Sequence, residues 1–413
     1  MKIKNFLFLI LFPLIVFAEG GSPYSRIGLG DLYYSYSARR ASFGGLGAAV
    51  FDRMNVGNYN PASWTRINMA RFETGVNIES FFTKEQSTNS FYSNAFFSGF
   101  ILGVPIQKDY GISLVMGLVP YSRVKLNVSE EYQAYDFTFA GDGNVTKLFI
   151  GGSYSLPFDF NFGASLDYYI GTINYYSDII FHDANIRDAE YDTRHKISGI
   201  GGTFGFISNN LSKSFGINVV EDLRLGAVLS LAGNMDTDTS LYKIIYSGNK
   251  SAVISTDTLT EGKTTTNIPF RLGAGISFTS GKYLFLLDYL YQPWSDYTFN
   301  GIKNEDLRNL NKIFAGFEYQ FTGESSAGFW EQMIYRAGVS YESSQYRING
   351  KGINQFSVSA GVAFPLEYGS TIDLAIEYGM RGTTQMNLMK ENLFKFTASF
   401  NFGELWFYRG SGR

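Results

Sequence analysis

Cysteine is absent from the 413-residue sequence, and histidine occurs only at His182 and His195. The first absence excludes disulfide bonds, thiol catalysis and lipid attachment to an N-terminal cysteine. The second excludes a metal site built from several histidines of one chain. A net charge of -3 provides no basic stripe, so nucleic acid is not an expected partner. We therefore predict neither a metal nor a cofactor.

Charged residues are scarce at 17%, where a typical soluble domain has about 25%. Aromatic residues reach 17%, and glycine occurs 45 times. Beyond the N-terminal apolar run, no stretch approaches the roughly 18 consecutive apolar residues of a transmembrane helix. Because lipid admits only helices and closed β-barrels, a membrane protein of this composition must be a barrel.

The first 18 residues have the pattern of a secretory signal peptide. Lys2 and Lys4 precede an apolar run that ends at Phe17, and small or apolar residues lead to a cleavage position near Ala18. The run is too short to cross the ~30 Å hydrocarbon core as a helix. The alternative is an N-terminal membrane anchor. We predict an exported chain whose mature part begins near residue 19.

Alternation of apolar and polar residues, the mark of a β-strand with two different faces, is clearest near the C-terminus. Phe394, Phe396, Ala398, Phe400 and Phe402 share one face there, and polar residues occupy the other. Residues 335–342 and 372–379 repeat the pattern. A soluble sandwich would alternate in the same way, so the number of strands and their connections must decide.

Fourteen segments carry a strand pattern, and an even number allows the last strand to pair with the first. The predicted strands are Arg71–Phe82, Phe91–Val104, Tyr110–Leu126, Asn144–Leu156, Phe160–Tyr175, Arg194–Ile207, Asp222–Ala232, Ile268–Thr279, Lys282–Gln292, Asn311–Thr322, Met333–Ser343, Gln355–Pro365, Ser370–Met380 and Asn392–Phe402. Tight turns on one side alternate with long polar loops at 127–143, 176–193, 233–267 and 293–310, as in outer-membrane barrels. We predict an all-β fold: a transmembrane antiparallel barrel over residues 71–403, with a C-terminal tail at 404–413.

Residues 19–70 do not alternate, although they precede the barrel. A barrel of about fourteen strands has a bore wider than side chains alone can fill, since about eight strands are the limit for that. We predict that this segment folds into the lumen as a plug. The alternative is a disordered periplasmic tail.

Two motifs in this segment carry a family resemblance. "RRASFGGLGAAVFD" followed by "NPA" resembles the N-terminal hatch of the FadL family, outer-membrane transporters of long-chain fatty acids and aromatic hydrocarbons. The matching positions are Gly44, Gly45, Gly47, Asn60, Pro61 and Ala62. The opening "SPYSRIGLGDL" resembles an extension of family members from Bacteroidetes. The resemblance implies a hatch inside a fourteen-stranded barrel in the outer membrane of a Gram-negative bacterium.

The third predicted strand contains Gly117 and Pro120, two residues that mark kinks and breaks in strand pairing. In the family that this chain resembles, a kink in the third strand opens a gap through which an apolar ligand leaves sideways. The alternative is that the strand ends at Val119.

These features predict transport of a hydrophobic small molecule by a monomer that contacts outer-membrane lipid and lipopolysaccharide. The predicted steps are loop capture, binding in an apolar lumen pocket, hatch rearrangement and lateral release. The loop residues chosen for capture are Phe137, Phe139, Trp294, Tyr297 and Phe299, which could equally be packing or girdle residues.

A secretion-system or surface-anchoring component, with secretion-apparatus proteins as partners, is the main alternative to transport. An open diffusion porin is a second alternative. An outer-membrane esterase using His195 and Ser198 is a weak third, because no complete catalytic triad can be placed. The glycine-rich "GIGGTFG" at 199–205 resembles a phosphate loop only superficially and is expected to make room for the plug. We predict no catalytic residues.

Overall fold

The chain forms a closed antiparallel β-barrel of fourteen strands. The computed structural model describes residues 20–52, 54–85, 89–322, 327–366 and 369–405, so the predicted signal peptide and most of the C-terminal tail lie outside the described residues. The strands pair in chain order, and the last closes the barrel on the first from Lys390–Lys84 to Glu404–Ala70. The predicted fold class is confirmed.

Twelve barrel strands are continuous, and two consist of two consecutive segments each. The strands are β1 Ala70–Lys84, β2 Asn89–Gln107, β3 Ile112–Glu131, β4 Tyr135–Ser155, β5 Asn161–Phe181, β6 Asp188–Ile207, β7 Glu221–Leu231 continued by Gly233–Tyr246, β8 Val253–Ile268 continued by Arg271–Ser280, β9 Tyr283–Gln292, β10 Leu310–Gln320, β11 Ile334–Ile348, β12 Lys351–Pro365, β13 Thr371–Gly382 and β14 Lys390–Glu404. The break in β8 contains Pro269, which has no N–H to donate to the ladder.

The remaining regular structure is short. The described residues contain two α-helices, α1 Ala38–Ser42 and α2 Leu211–Phe215. Single 3₁₀ turns occupy Pro23–Arg26, Pro61–Arg66, Lys108–Tyr110, Pro157–Asp159, Gly248–Lys250, Trp294–Asp296, Phe329–Glu331 and Gln385–Asn387, and two-residue strands occupy Asp31–Leu32, Thr298–Phe299 and Ile302–Lys303. In the part of the chain that the structure describes, no helix is long and apolar enough to cross a membrane.

One end of the barrel differs from the prediction. We call the end at Ala70 and Glu404 the terminal rim and the opposite end the distal rim. The predicted long distal loops at 127–143, 176–193 and 233–267 are wrong, because strands β3 to β8 continue through them. Only the connection between β9 and β10, from Pro293 to Asn309, remains largely irregular. The continuing segments of β3 to β8 are polar enough to suggest loops from the sequence. Their Thr, Tyr and Ile residues nevertheless favour β-strands.

The polarity of the wall reverses along β4, β5 and β6, which explains why these continuations were missed. Near the terminal rim, Leu148, Ile170 and Ile200 point outward and are about half exposed, as lipid-facing residues would be. Farther along, the inward residues become apolar, with Ile173 and Ile197 buried. The outward residues there are polar, from Asp188 to Ser198 on alternate positions of β6. The apolar outer band therefore ends near Ile170, and the strands project beyond it.

Residues Gly20–Met69, here called the N-terminal segment, occupy the lumen of the barrel. Trp64 is 1% exposed, and Phe43 is fully buried. Hydrogen bonds join the segment to strands distributed around the wall, including β3, β5, β6, β8, β9, β10, β13 and β14. The described part of the segment is therefore bonded to strands around the inside of the closed wall.

Candidate functional site

The Asn-Pro-Ala triplet joins the N-terminal segment to itself and to the wall. The Asn60 side chain accepts a hydrogen bond from the Ala62 N–H at 3.0 Å and so caps the 3₁₀ turn that Pro61 begins. Its amide nitrogen donates to the carbonyl oxygens of Ala48, at 2.5 Å, and Phe206 of β6, at 3.1 Å. The triplet thus fixes a turn against two backbone segments, which accounts for the side-chain amide at this position.

Wall glycines leave the space that this contact needs. A Cβ on Gly205 of β6 would overlap the Asn60 side-chain oxygen, and one on Gly163 of β5 would overlap the Pro61 backbone. Gly338 of β11 stands in the same relation to the Phe43 carbonyl. Within "GIGGTFG", the close approach to the segment is therefore made by Gly205.

The glycine-rich loop of the segment binds a buried wall carboxylate. The backbone N–H groups of Gly47 and Ala48 donate to the two carboxylate oxygens of Asp288 on β9, at 2.6 and 3.1 Å. Gly47 has a φ of +68°, a conformation that favours glycine, and its nitrogen turns toward the wall. Gly45 packs against the Phe314 side chain of β10. Gly45 and Gly47, two positions that the resemblance marked, therefore contact the wall through their backbones.

A network of buried charges surrounds the same loop. Arg39 and Arg40, at the start of the motif, both pair with Asp52 at its end, and Arg39 Nε lies 3.0 Å from the carboxylate. Arg39 also reaches Glu318 of β10 at 3.3 Å, which Arg336 of β11 binds at 2.7 Å. These pairs close the segment on itself and tie it to the wall. That the segment acts as a movable hatch stays a prediction.

The third strand does not end at Val119. Strand β3 continues past Pro120 to Glu131, with a register shift against β4 between Pro120 and Ser122. Its ladder with β2, however, stops at the pair Phe100–Leu118. Among the described residues, Asn89–Gly99 of β2 pairs only with β1 beyond this point. Gly117 and Pro120 therefore flank the place where the wall loses its pairing.

Residues Gly20–Tyr33, here called the strap, cover this opening from inside. Asp31 and Leu32 pair with Arg123 and Ser122 of β3. The Tyr33 N–H donates to the backbone carbonyl oxygen of Tyr121 on β3 at 2.9 Å. The strap thus occupies the edge of β3 that β2 leaves free, and the motif "SPYSRIGLGDL" forms most of it.

The strap also contacts β2 and the far wall. The Gly20 carbonyl accepts a hydrogen bond from Asn94 of β2, and the Tyr33 ring meets Phe96 edge-on with centroids 5.3 Å apart. Asp31 pairs with Arg381 of β13 at 2.7 Å. Removing the strap would expose unpaired backbone on both sides of the opening.

An apolar pocket of about 190 Å³ lies beside the strap on the distal side. Its lining residues are Gly28, Leu29, Ile173, Tyr175, His195, Ile197, Tyr297, Phe299 and Asn304. The His195 ring meets Phe299 edge-on at a centroid distance of 4.9 Å. The lining has no Lys, Arg, Asp or Glu. The arrangement suits an uncharged guest that prefers aromatic walls.

Two of the five residues predicted for capture, Tyr297 and Phe299, line this pocket. Phe139 stacks on Tyr175 at 6.0 Å and so lies behind one wall of it. Trp294 is 1% exposed and packs in the core against Tyr297, so it supports the pocket without lining it. Phe137 is half-buried on the inner side of β4, away from the pocket lining.

Sequence reasoning missed Ile173, Tyr175 and Ile197, and it weighed His195 only for esterase chemistry. Their signal was an inward run of apolar residues in the phase opposite to that of the lipid-facing residues. His195 bonds Thr239 at 3.0 Å, whereas Ser198 lies on the other face of β6. They therefore do not form a catalytic pair. Within the described ranges, no group of three or more His, Asp or Glu residues is placed to hold a metal ion.

A second lumen cavity, of about 110 Å³, has a charged lining. It is bordered by the ion pairs Asp31–Arg381, Glu79–Lys395 and Lys312–Glu342, with distances of 2.7, 2.6 and 2.9 Å. The space between the N-terminal segment and β10 to β14 is therefore unsuited to an apolar ligand.

Comparison with known proteins agrees with this geometry. The model of the BamG family matches residues 1–411. The chain belongs to the BamG family. No curated protein sequence matches it.

Solved structures show that this BamG-family chain shares the fold of hydrocarbon transporters. The toluene transporter TodX of Pseudomonas putida matches with a TM-score of 0.61 and 17% identity over 89% of this chain and 97% of TodX. The toluene transporter TbuX of Ralstonia pickettii gives 0.59 and 15% over 93% and 98%. A FadL homologue of Pseudomonas aeruginosa gives 0.58 and 11% over 88% and 98%. At these identities the likeness concerns the fold.

Proposed function

We propose that this protein transports small apolar molecules across the outer membrane of a Gram-negative bacterium. The ligand enters the apolar pocket at Tyr297 and Phe299 from the distal, external side. It then leaves sideways between β2 and β3. The observation that supports this proposal is the wall itself: the ladder between β2 and β3 is interrupted within the wall at Gly99 and Val119, while the N-terminal segment lies across the lumen. A solute that cannot pass along the axis has this lateral route.

The pocket favours a ligand of about one aromatic ring. Engineered cavities of about 150 Å³ lined by apolar side chains bind benzene, so about 190 Å³ accommodates a ring with a small substituent. Burial stabilises such a guest by about 25 cal/mol for each Å² of apolar surface. TodX and TbuX are toluene transporters, which agrees with this size class.

The hatch rearrangement that the family resemblance implies reduces, in this proposal, to a displacement of the strap. The strap has only two residues in register with β3, at Asp31 and Leu32. The rest of the N-terminal segment is held by buried ion pairs and by Asp288. This proposal places the movement at the strap because the strap, and not the glycine-rich loop, covers the interrupted ladder.

Uptake with a reversible lock on the strap tests the proposal. The Cα atoms of Leu32 and Ser122 are register partners, and the chain has no native cysteine. In the double variant Leu32→Cys and Ser122→Cys, oxidation is expected to stop toluene uptake by cells, and reduction is expected to restore it. Equal uptake by fully cross-linked and reduced protein would disprove lateral release past the strap.

An observation at the terminal rim favours a second candidate, a component of a secretion or surface-anchoring apparatus. Phe158 is 85% exposed, Phe215 74% and Trp330 70%, each on a different terminal-rim connection. Phe158 and Asp159 both have positive φ, near 66° and 64°, and Asp159 is bound by Arg66 and Arg224. Exposed aromatics on a strained, braced turn are typical of contact surfaces.

This candidate predicts a different phenotype. Replacing Phe158 and Trp330 by serine would impair export or surface display of other proteins and leave toluene uptake unchanged. The reverse result, impaired uptake with normal export, would favour transport.

A further inference from the structure

Four buried polar atoms without hydrogen-bond partners lie on residues that line one small lumen cavity. They are the hydroxyl oxygens of Tyr34 and Tyr59, the side-chain oxygen of Asn58 and one terminal guanidinium nitrogen, Nη2, of Arg271. The cavity measures about 30 Å³. Unpartnered buried polar atoms are uncommon, and here four of them meet in one place. The cluster therefore marks a candidate binding site.

The charge of the lining indicates the sign of that group. Two cations, Arg271 and Lys147, line the cavity, and its lining contains no carboxylate. Lys147 is paired with Asp167 at 3.4 Å. Arg271 has no ion pair among the described residues; its Nε donates to the neutral Gln292 side chain at 3.1 Å. One guanidinium charge thus remains uncompensated inside the barrel.

Aromatic rings stabilise Arg271 but do not neutralise it. Its guanidinium carbon lies 5.4 Å from the centre of the Tyr34 ring and 5.1 Å from that of Tyr121. Such cation–π contacts attract a cation through the ring quadrupole and leave its N–H donors free. A water molecule could satisfy one donor, but it would leave the charge unpaired on a side chain that is half-buried and whose Nη2 atom is inaccessible to solvent.

The other groups are suited to donate hydrogen bonds. Burial raises the pKa of the Tyr34 and Tyr59 hydroxyls, so both keep their protons. Tyr59 is 7% exposed, and its hydroxyl lies close to Gly273 on β8, two residues from Arg271. A half-turn of the Asn58 amide presents an NH₂ group instead of an oxygen, because the two ends are nearly equal in shape.

We propose that this cavity binds a small monovalent anion, either a free ion or the carboxylate of an acidic amphiphile. The cavity holds two to three water-sized spheres at roughly 10–15 Å³ each, which is enough for one carboxylate or halide. Three donor groups come from the N-terminal segment and one from β8. A bound anion therefore also fastens the segment to the wall beside Val119 and Pro120 of β3, which line the same cavity.

Bromide and acetate are the probes that test this site. Crystals of the full chain grown without halide and soaked in sodium bromide are expected to show an anomalous peak at Arg271 Nη2. Acetate titrated into protein in a HEPES buffer free of halide and carboxylate is expected to bind with heat. Arg271→Gln is expected to remove the peak and weaken acetate at least about tenfold, as for a lost charged hydrogen bond. The control Arg194→Gln removes an arginine that bonds only Asn174 and is expected to change neither.

Two results would overturn the proposal: no bromide peak and no acetate binding in the wild type, or both unchanged in Arg271→Gln. If Arg271→Gln fails to fold, Tyr59→Phe removes a single hydroxyl and is expected to weaken acetate severalfold. Unchanged acetate affinity in that variant would also count against the site.

A chain-length series identifies the source of the anion. Octanoate and acetate bind about equally if the site takes a free ion. If it takes the head group of an amphiphile, affinity rises roughly fourfold for each added methylene. The proposal does not rest on the apolar pocket, because anion binding is measured without any apolar ligand. Loss of acetate binding would therefore say nothing about toluene uptake, and loss of toluene uptake would say nothing about the anion site.

Discussion

The attachment of the glycine-rich loop to Asp288 gives a quantitative prediction about the plug. Asp288 is 2% exposed, and its two oxygens accept the Gly47 and Ala48 N–H groups. A hydrogen bond to a charged group contributes about 1.5–3 kcal/mol, and a buried N–H left unpaired costs about 1–3 kcal/mol. Asp288→Ala removes both bonds. Allowing for partial hydration of the freed groups, we expect a loss of about 3 kcal/mol in the attachment of the loop.

A loss of that size shifts the balance between attached and displaced segment about 100-fold, since 1.4 kcal/mol is a factor of ten. Openings in planar bilayers are expected to become correspondingly more frequent, because a displaced segment leaves a fourteen-stranded bore. Asp288→Asn keeps one acceptor oxygen and should lie between the wild type and the alanine variant.

Asp167 supplies a matched control for this experiment. It is fully buried in β5, and its carboxylate accepts hydrogen bonds from Ser165 and Thr203, both on the wall. Asp167→Asn therefore removes a buried wall charge without releasing the segment. If Asp288→Ala opens no more often than Asp167→Asn, the carboxylate does not hold the plug and the reasoning fails.

Two further variants test the pocket and the wall. Phe299→Asp puts a charge into the apolar pocket and should lower toluene binding in nanodiscs at least about tenfold. Phe137→Asp lies outside the pocket lining and should leave toluene binding unchanged. Equal losses of binding in the two variants would refute the pocket assignment. Gly205→Ala forces a Cβ onto Asn60 and should lower the free energy of unfolding in urea by about 1–3 kcal/mol. Gly262→Ala, with open space around it, should stay within about 0.5 kcal/mol, and a Gly205→Ala variant equally stable would show that the wall does not press on Asn60 there.

The sequence allowed prediction of all fourteen strands because lipid on one side and a polar lumen on the other impose strict alternation. It did not reveal the projecting halves of β4 to β6, because their apolar residues change faces after Lys147, Tyr169 and Ile197. The change looks like an irregular loop when one face is followed along the chain. It is also what places Ile173 and Tyr175 at the pocket.

The candidate site was only partly accessible from sequence for a different reason. Gly117 and Pro120 marked the interrupted ladder, because both residues act locally on strand pairing. The partner that covers the opening lies some ninety residues earlier, at Asp31 and Leu32. No local pattern encodes a two-residue pairing at such separation. The same holds for Arg271. That no described carboxylate pairs with it can be seen only when its neighbours in the fold are known.

The position of the pocket relative to the lipid-facing band distinguishes two movements, that of the strap and that of the glycine-rich loop, which a hatch mechanism would combine. His195 and Ile197 face the pocket, whereas the outward residues between them and beside them, Arg194, Lys196 and Ser198, are polar. The pocket therefore lies beyond the lipid-facing band, so that in the proposed mechanism it fills without displacement of the glycine-rich loop. The strap contacts both places, because Gly28 and Leu29 line the pocket and Asp31 and Leu32 pair with β3 at the opening.

A second disulfide distinguishes strap movement from plug movement. A Cβ on Gly45 would lie 2.9 Å from the Phe314 Cβ of β10, and its other near neighbours are atoms of the Phe314 ring, which the exchange removes. Gly45→Cys with Phe314→Cys therefore joins the glycine-rich loop to the wall after relaxation of the loop. Oxidation of this pair should leave toluene uptake unchanged, whereas oxidation at Leu32 and Ser122 should stop it. If the loop cross-link also stops uptake, the ligand passes through the lumen, and the strap is not the sole moving part.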